Sequence, residues 1–117
     1  MNLGSILQRF ETSPLELQEK IHHTLMELVE ISAQVPYPAS GATLKRWQIL
    51  SQVSANNLSL GKLFESHLDA LAILHELNIP VMKKSLWAVW AAEGGPRPLK
   101  LEAGNLTGIK PWCSASV

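Results

Sequence analysis

The stretch "LSLGKLFESHLDALAIL", residues 58–74, decides the fold of this chain. Its apolar side chains recur every three or four residues, which is the spacing that places them on one face of an α-helix. The apolar stripe consists of Leu60, Leu63, Phe64, Leu68, Leu71, Leu74 and Leu77. Ser59 can cap this helix, and Asn78 and Pro80 end it. The spacing therefore predicts the longest amphipathic helix of the chain.

A second helix is predicted over residues 14–33. Ser13 and Glu16 have the spacing of a capping box, in which each side chain can bond the backbone N–H of the other, and Pro14 suits the first helical position. The apolar residues that follow are Leu17, Ile21, Leu25, Leu28 and Val29. The loop "VPYPASG", residues 35–41, then prevents the helix from continuing, because it contains two prolines and a glycine.

A third, shorter helix is predicted over residues 42–55, between these two in sequence. Its apolar residues are Leu44, Trp47, Leu50 and Val53, which recur at intervals of three. We expect this stripe to face the core, with Lys45 and Arg46 turned away from it.

The last third of the chain changes from helical to strand-like spacing. The run "SLWAVWAAE" (85–93) is rich in aromatic and branched side chains, "LKLEA" (99–103) alternates apolar and polar residues, and "GNLTGIKPW" (104–112) begins with a tight turn. Three short antiparallel strands are therefore predicted. We expect an α+β chain, with an N-terminal helical domain over residues 1–80 and the start of an incomplete β domain over residues 81–117.

Charge and cysteine content argue against several classes of protein. Lys plus Arg and Asp plus Glu number ten each, so the chain has no net charge with which to attract nucleic acid or an anionic membrane. Cys113 is the single cysteine, which excludes an internal disulfide and a multi-cysteine zinc site. The N-terminus does not resemble a secretory signal, and no apolar run approaches the roughly 20 residues that span a bilayer. We expect a soluble, cytoplasmic protein.

The apolar composition indicates contacts beyond this chain. Hydrophobic residues make up 46% of the sequence and charged residues 17%, which argues against disorder and for apolar surface that something else covers. Three short strands would also leave open edges. We expect either a homo-oligomer or a chain that lacks a C-terminal portion.

The four histidines do not form a metal site in the predicted helices. His22 and His23 are adjacent and point about 100° apart, while His67 and His75 are separated by about 12 Å of helical rise. His67, close to Asp69, could act in acid–base chemistry or could be hydrogen-bonded at a helix interface. The sequence also lacks a nucleophile elbow and a phosphate-binding glycine loop. No metal and no catalytic residue is therefore predicted.

Three of the four tryptophans, Trp87, Trp90 and Trp112, lie in the predicted β segment. Core packing explains such clustering, but an indole can also cover one face of a flat ring while a nearby hydroxyl bonds the ring's polar edge, as a flavin requires. Trp112 with Ser114 fits the second interpretation.

Taken in order, "LSLGKLFESHLDALAIL", "LWAVWAAEGG" (86–95) and "LTGIKPWCS" (106–114) resemble the N-terminal part of the acyl-CoA dehydrogenase family of flavoproteins. That family begins with a helical domain, continues into a small β domain and ends with a second helical bundle. The resemblance covers nearly all of this chain and implies FAD as the cofactor, an acyl-CoA-type substrate and oxidation of a CH–CH bond in the complete enzyme.

The resemblance also implies which residues contact the flavin. "WAAE" (90–93) stands where the family has a Thr-Glu-Pro type motif, with Ala92 in the place of the threonine, and "GIKPWCS" (108–114) resembles a Gly-x-Lys-x-Trp-Ile-Thr type motif. The cofactor-binding residues implied are Ala92, Trp112, Cys113 and Ser114. "GGPRPL" (94–99) replaces the family's Gly-Ser-Asp, which implies a divergent branch.

The same resemblance assigns the catalytic base to the C-terminal bundle, and no position here matches it. The isolated chain is therefore expected to be inactive as an enzyme. The alternative hypothesis is a stand-alone helical interaction module, whose apolar stripe in residues 58–77 binds a partner protein and which needs no cofactor.

Overall fold

The computed structural model describes residues 2–111, which form four helices followed by a small β-hairpin. The helices are α1 (Leu3–Thr12), α2 (Leu17–Ile31), α3 (Thr43–Asn56) and α4 (Leu58–Glu76), and the strands are β1 (Lys100–Glu102) and β2 (Asn105–Thr107). A short 3₁₀ turn, Ser32–Gln34, extends α2. The predicted α+β class is confirmed.

Helix α4 lies at the centre of the helical core. Its buried apolar residues include Leu60, Phe64 and Leu68, each at most 2% exposed, as the apolar stripe predicts. The core also receives side chains from the other three helices and from the segment after α2, namely Ile6, Leu7, Phe10, Leu25, Leu28, Ile31, Val35 and Val53. The N-cap of α4 is Asn57 rather than Ser59, because the Asn57 Oδ1 accepts the Leu60 N–H at 2.9 Å.

Helix α1 was not predicted from the sequence. The side chain of Asn2 caps it by accepting the Ser5 N–H at 2.9 Å, and its inner face buries Ile6, Leu7 and Phe10 in the core. These apolar positions have the three- and four-residue spacing of a helix, so the sequence of this segment does carry a helical signal.

Helix α2 begins three residues later than the capping-box pattern predicted. Its first residue is Leu17 and its N-cap is Glu16, whose side chain makes no capping bond. The Ser13 hydroxyl instead accepts the Leu15 N–H at 3.3 Å and stabilises the turn before the helix.

The orientation predicted for α3 is wrong. Leu44 and Trp47 are 68% and 65% exposed, whereas Arg46 is only 5% exposed. Intervals of three rotate the stripe by about 60° per step on a helix of 3.6 residues per turn, so Leu44 and Val53 lie on opposite sides. Only the end of the stripe that contains Val53 reaches the core.

A close approach between α3 and α4 fixes how these helices pack. A Cβ atom added to Gly61 would lie 2.9 Å from the Ser54 Cα, which is closer than side-chain carbons come to neighbouring backbone. Glycine at position 61 therefore allows the two helices to be in backbone contact.

The strand predicted over residues 85–93 is absent, since that segment has no strand partner. The hairpin after it agrees with the prediction: β1 and β2 are antiparallel, with Leu101 opposite Leu106. The turn residues Ala103 and Gly104 both have positive φ, at 50° and 80°, as a tight two-residue hairpin turn requires. The hairpin residues are exposed.

Candidate functional site

The segment between α4 and β1 is held by side chains of α4. The Ser66 hydroxyl accepts the Val89 N–H at 3.1 Å and lies 3.2 Å from the Val89 carbonyl oxygen, to which it can donate. The Trp87 N–H donates to the His67 Nδ1 at 3.1 Å. A segment without regular secondary structure thus satisfies part of its backbone hydrogen bonding on a helix, and this anchors the chain just before Ala92.

Beyond this anchor, two separate segments form a small groove. Ala92, Glu93 and Gly94 line one part of it, and Ile109, Lys110 and Pro111 line another, with Pro98 and Leu99 completing the wall. Its volume is about 120 Å³. The structure therefore brings Ala92 close to the residues that directly precede Trp112.

Gly108 allows the two segments that line the groove to approach each other closely. It has φ of 115°, and a Cβ atom at this position would collide with the Pro98 carbonyl oxygen and lie 2.8 Å from the carbonyl carbon. The next residue, Ile109, donates its N–H to the Arg97 carbonyl at 2.8 Å. A side chain at position 108 would separate the two walls of the groove.

The groove is small and carries both signs of charge. Glu93 and Lys110 belong to opposite walls, while Ala92 contributes no polar side-chain atom. Ligand pockets for whole small molecules usually have volumes of roughly 300–1,000 Å³, so this groove can admit only the edge of a flat ring. Between residues 2 and 111, no three His, Cys, Asp or Glu side chains are grouped so that they could hold a metal ion.

The other three residues implied by the family resemblance, Trp112, Cys113 and Ser114, lie outside the described residues. Their contact with a cofactor stays a prediction. The structure places Ala92 at the groove, and Pro111 lines the wall from which the chain continues to Trp112.

His67 and Asp69 do not form an acid–base pair. Asp69 accepts a hydrogen bond from the Arg46 Nη2 at 2.9 Å, and the Arg46 Nη1 donates to the Pro36 carbonyl at 3.1 Å. His67 is 1% exposed, and burial lowers its pKa from the ordinary value of 6.5, so the imidazole is neutral near pH 7. It is a histidine hydrogen-bonded in the interior of the protein.

The remaining histidines are not arranged for metal binding either. His22 and His23 are exposed on α2, and His75 stacks on the Tyr37 ring with centroids 4.0 Å apart and planes within 4° of parallel. The stacking joins the end of α4 to the loop after α2, which no sequence pattern indicated.

Comparisons with protein-family models, with curated proteins and with solved structures returned no match to this chain.

Across residues 2–111, none of the helices has both the length and the apolar character needed to cross a lipid bilayer.

Proposed function

We propose that this chain is a segment of an acyl-CoA dehydrogenase-like flavoprotein and contributes part of its FAD site. The observation that supports this most directly is the groove between residues 92–94 and 109–111. The described part of each motif that the family resemblance assigns to the flavin lines this groove: Ala92 and Glu93 belong to "WAAE", and residues 109–111 belong to "GIKPWCS".

The residues have distinct roles in this proposal. Ala92 lines the place where the edge of the isoalloxazine ring enters, and Trp112 covers one face of the ring. Ser114 supplies a hydroxyl for a polar atom of the ring edge, and Cys113 takes the place of an aliphatic neighbour. The flavin supplies the hydride-accepting chemistry.

The proposal assigns cofactor contact, and not proton abstraction, to this chain. In the family that it resembles, a carboxylate from the C-terminal helical bundle removes the proton α to the thioester carbonyl, and no residue here corresponds to it. Oxidation of an acyl-CoA-type substrate is thus proposed for the complete enzyme, which we place in the cytoplasm as an oligomer.

The alternative, a helical interaction module that binds a partner through the apolar stripe of α4, has less support. Leu60, Phe64 and Leu68 of that stripe are covered by the chain's own helices. A partner could reach them only if the core opened, which would expose the side chains that contribute most to stability.

Titration of the purified chain with FAD tests the proposal. We expect tryptophan emission to be quenched as FAD binds, and this quenching to be lost in Trp112→Ala. Trp47→Ala is the matched control, because Trp47 is an exposed tryptophan on α3, away from the groove. The proposal fails if the folded chain does not bind FAD, or if both variants bind it as the unchanged chain does.

A further inference from the structure

A second, larger cavity is lined in part by the first residues of the segment that follows α4. It has a volume of about 540 Å³, within the range of small-molecule sites. Its walls come from the end of α2 with the turn and loop that follow it, from α4 and from residues 81–85. The apolar part of its lining consists of Val29, Ala33, Leu71, Val81, Met82 and the ring of Tyr37. Sequence patterns did not indicate this cavity, since its walls come from three separate segments.

His67 forms part of the wall and has an unused hydrogen-bond donor. Its Nδ1 accepts the Trp87 N–H at 3.1 Å and must therefore be unprotonated. The neutral imidazole then carries its proton on Nε2. This Nε2 is buried, and no partner for it exists among the described residues. A buried N–H without an acceptor destabilises the protein, so an incoming acceptor would bind favourably.

The charges of the wall favour an anion. Glu30 is paired with Lys84 at 3.1 Å, so these two charges offset each other. Lys83 also lines the cavity, and within residues 2–111 no carboxylate forms an ion pair with it. The wall thus combines an apolar surface, one buried neutral donor and one lysine whose charge is not offset.

We propose that this cavity binds a linear aliphatic monocarboxylate, with a carboxylate oxygen accepting the His67 Nε2–H and the chain lying on the apolar wall. The Nε2 atom is covered by neighbouring side chains, so the oxygen reaches it only after a local adjustment. Met82 lines the same cavity from an exposed position, and its unbranched side chain can adapt to the aliphatic chain of the ligand. This site does not depend on the FAD groove, and either can exist without the other.

Calorimetric titration of the full chain with octanoate tests the proposal, with octylammonium as a probe of equal chain length that has no acceptor oxygen. We expect octanoate to bind and octylammonium not to bind. Binding of octanoate should shift the amide resonance of Trp87, because this amide donates to the same imidazole. Absence of octanoate binding, or equal binding of both probes, would overturn the proposal.

Two variants and one control locate the site. His67→Asn keeps an oxygen near the Nδ1 position for the Trp87 N–H but removes the Nε2 donor, so octanoate should bind about tenfold more weakly or not at all. Ala33→Phe fills the cavity from an exposed position and should abolish binding without touching the imidazole. His22→Asn, on the exposed face of α2, should leave binding unchanged. If Ala33→Phe binds octanoate normally, the probe binds elsewhere and the proposal is wrong.

Discussion

The Ser66 hydroxyl lies between the N–H and the carbonyl oxygen of Val89, at 3.1 and 3.2 Å, and so takes the place that a neighbouring strand would occupy. One side chain on a helix here satisfies both backbone groups of a residue that lies outside any helix or strand. Residues around Val89 therefore have hydrogen-bond partners without forming a sheet, and α4 fixes the path of the chain toward the candidate FAD groove.

The first prediction concerns this contact. Ser66→Ala removes both hydrogen bonds and leaves the partly buried Val89 groups without a partner, so the free energy of unfolding should fall by about 1–3 kcal/mol. Urea unfolding followed by circular dichroism measures this. Ser51→Ala, which removes an exposed hydroxyl bonded only to the Gln48 carbonyl, should change the free energy by less than about 0.5 kcal/mol. Equal effects of the two substitutions would show that the Ser66 contact contributes little.

The second prediction concerns the buried guanidinium of Arg46. Asp69→Asn removes the carboxylate that Arg46 faces at 2.9 Å, but Asp69 is about half exposed, so solvent reduces the loss. We expect the free energy of unfolding to fall by about 1–2 kcal/mol, which is less than for a fully buried pair. Glu65→Gln in the exposed pair with Lys62 is the control and should have almost no effect. A loss no larger than the control's would mean that the Pro36 carbonyl alone satisfies Arg46.

The third prediction separates backbone conformation from steric collision at the groove. Gly108→Ala and Gly104→Ala both place a side chain at positive φ, but only the Cβ at position 108 meets Pro98. Gly108→Ala should therefore lower stability and weaken FAD binding at least several-fold, whereas Gly104→Ala should cost only about 1 kcal/mol of stability and leave FAD binding intact. Thermal unfolding and FAD titration measure the two effects. Identical behaviour of the two variants would contradict the role of the Gly108–Pro98 contact.

The fourth prediction is a dependence of stability on pH that comes from His67. Its pKa is lowered in the folded protein, so below pH 6.5 the unfolded chain takes up the proton first. Stability should thus be unaffected by this group above pH 6.5 and fall as the pH decreases below that value, by at most about 1.4 kcal/mol per pH unit. The other three histidines are present in both proteins. The difference in free energy of unfolding between the unchanged chain and His67→Asn, followed against pH, therefore isolates the contribution of His67. Parallel stability curves from pH 7.5 to pH 5 would contradict it.

Helices α2, α3 and α4 and the hairpin could be predicted from the sequence, in this order, because they depend on local signals. The stripe of α4 has the mixed spacing of three and four that keeps apolar side chains on one face, and Leu60, Phe64, Leu68 and Leu71 are buried as predicted. Leu77, the last residue of the predicted stripe, lies beyond the end of α4 and is 62% exposed. The turn at Ala103 and Gly104 likewise depends on neighbouring residues alone.

What could not be predicted depends on contacts between distant segments. The run over residues 85–93 has strand-like composition, but its backbone partners are Ser66 and His67 on α4 rather than another strand. Arg46 is buried because Asp69 and the Pro36 carbonyl receive its guanidinium, and none of these is its neighbour in sequence. The groove beside Ala92 likewise depends on the close contact between Gly108 and Pro98.

The contact of Gly61 with Ser54 limits the substitutions that this sequence can accept during evolution. Even a methyl group at position 61 would meet the α3 backbone at the Ser54 Cα, so shortening the side chain at position 54 cannot make room for it. Compensation would require the α3 backbone at Ser54 to move away from α4, which would disturb the packing of the adjacent buried Val53. We therefore expect residue 61 to be among the least variable positions of this chain, whereas the exposed positions of α3 can accept substitutions.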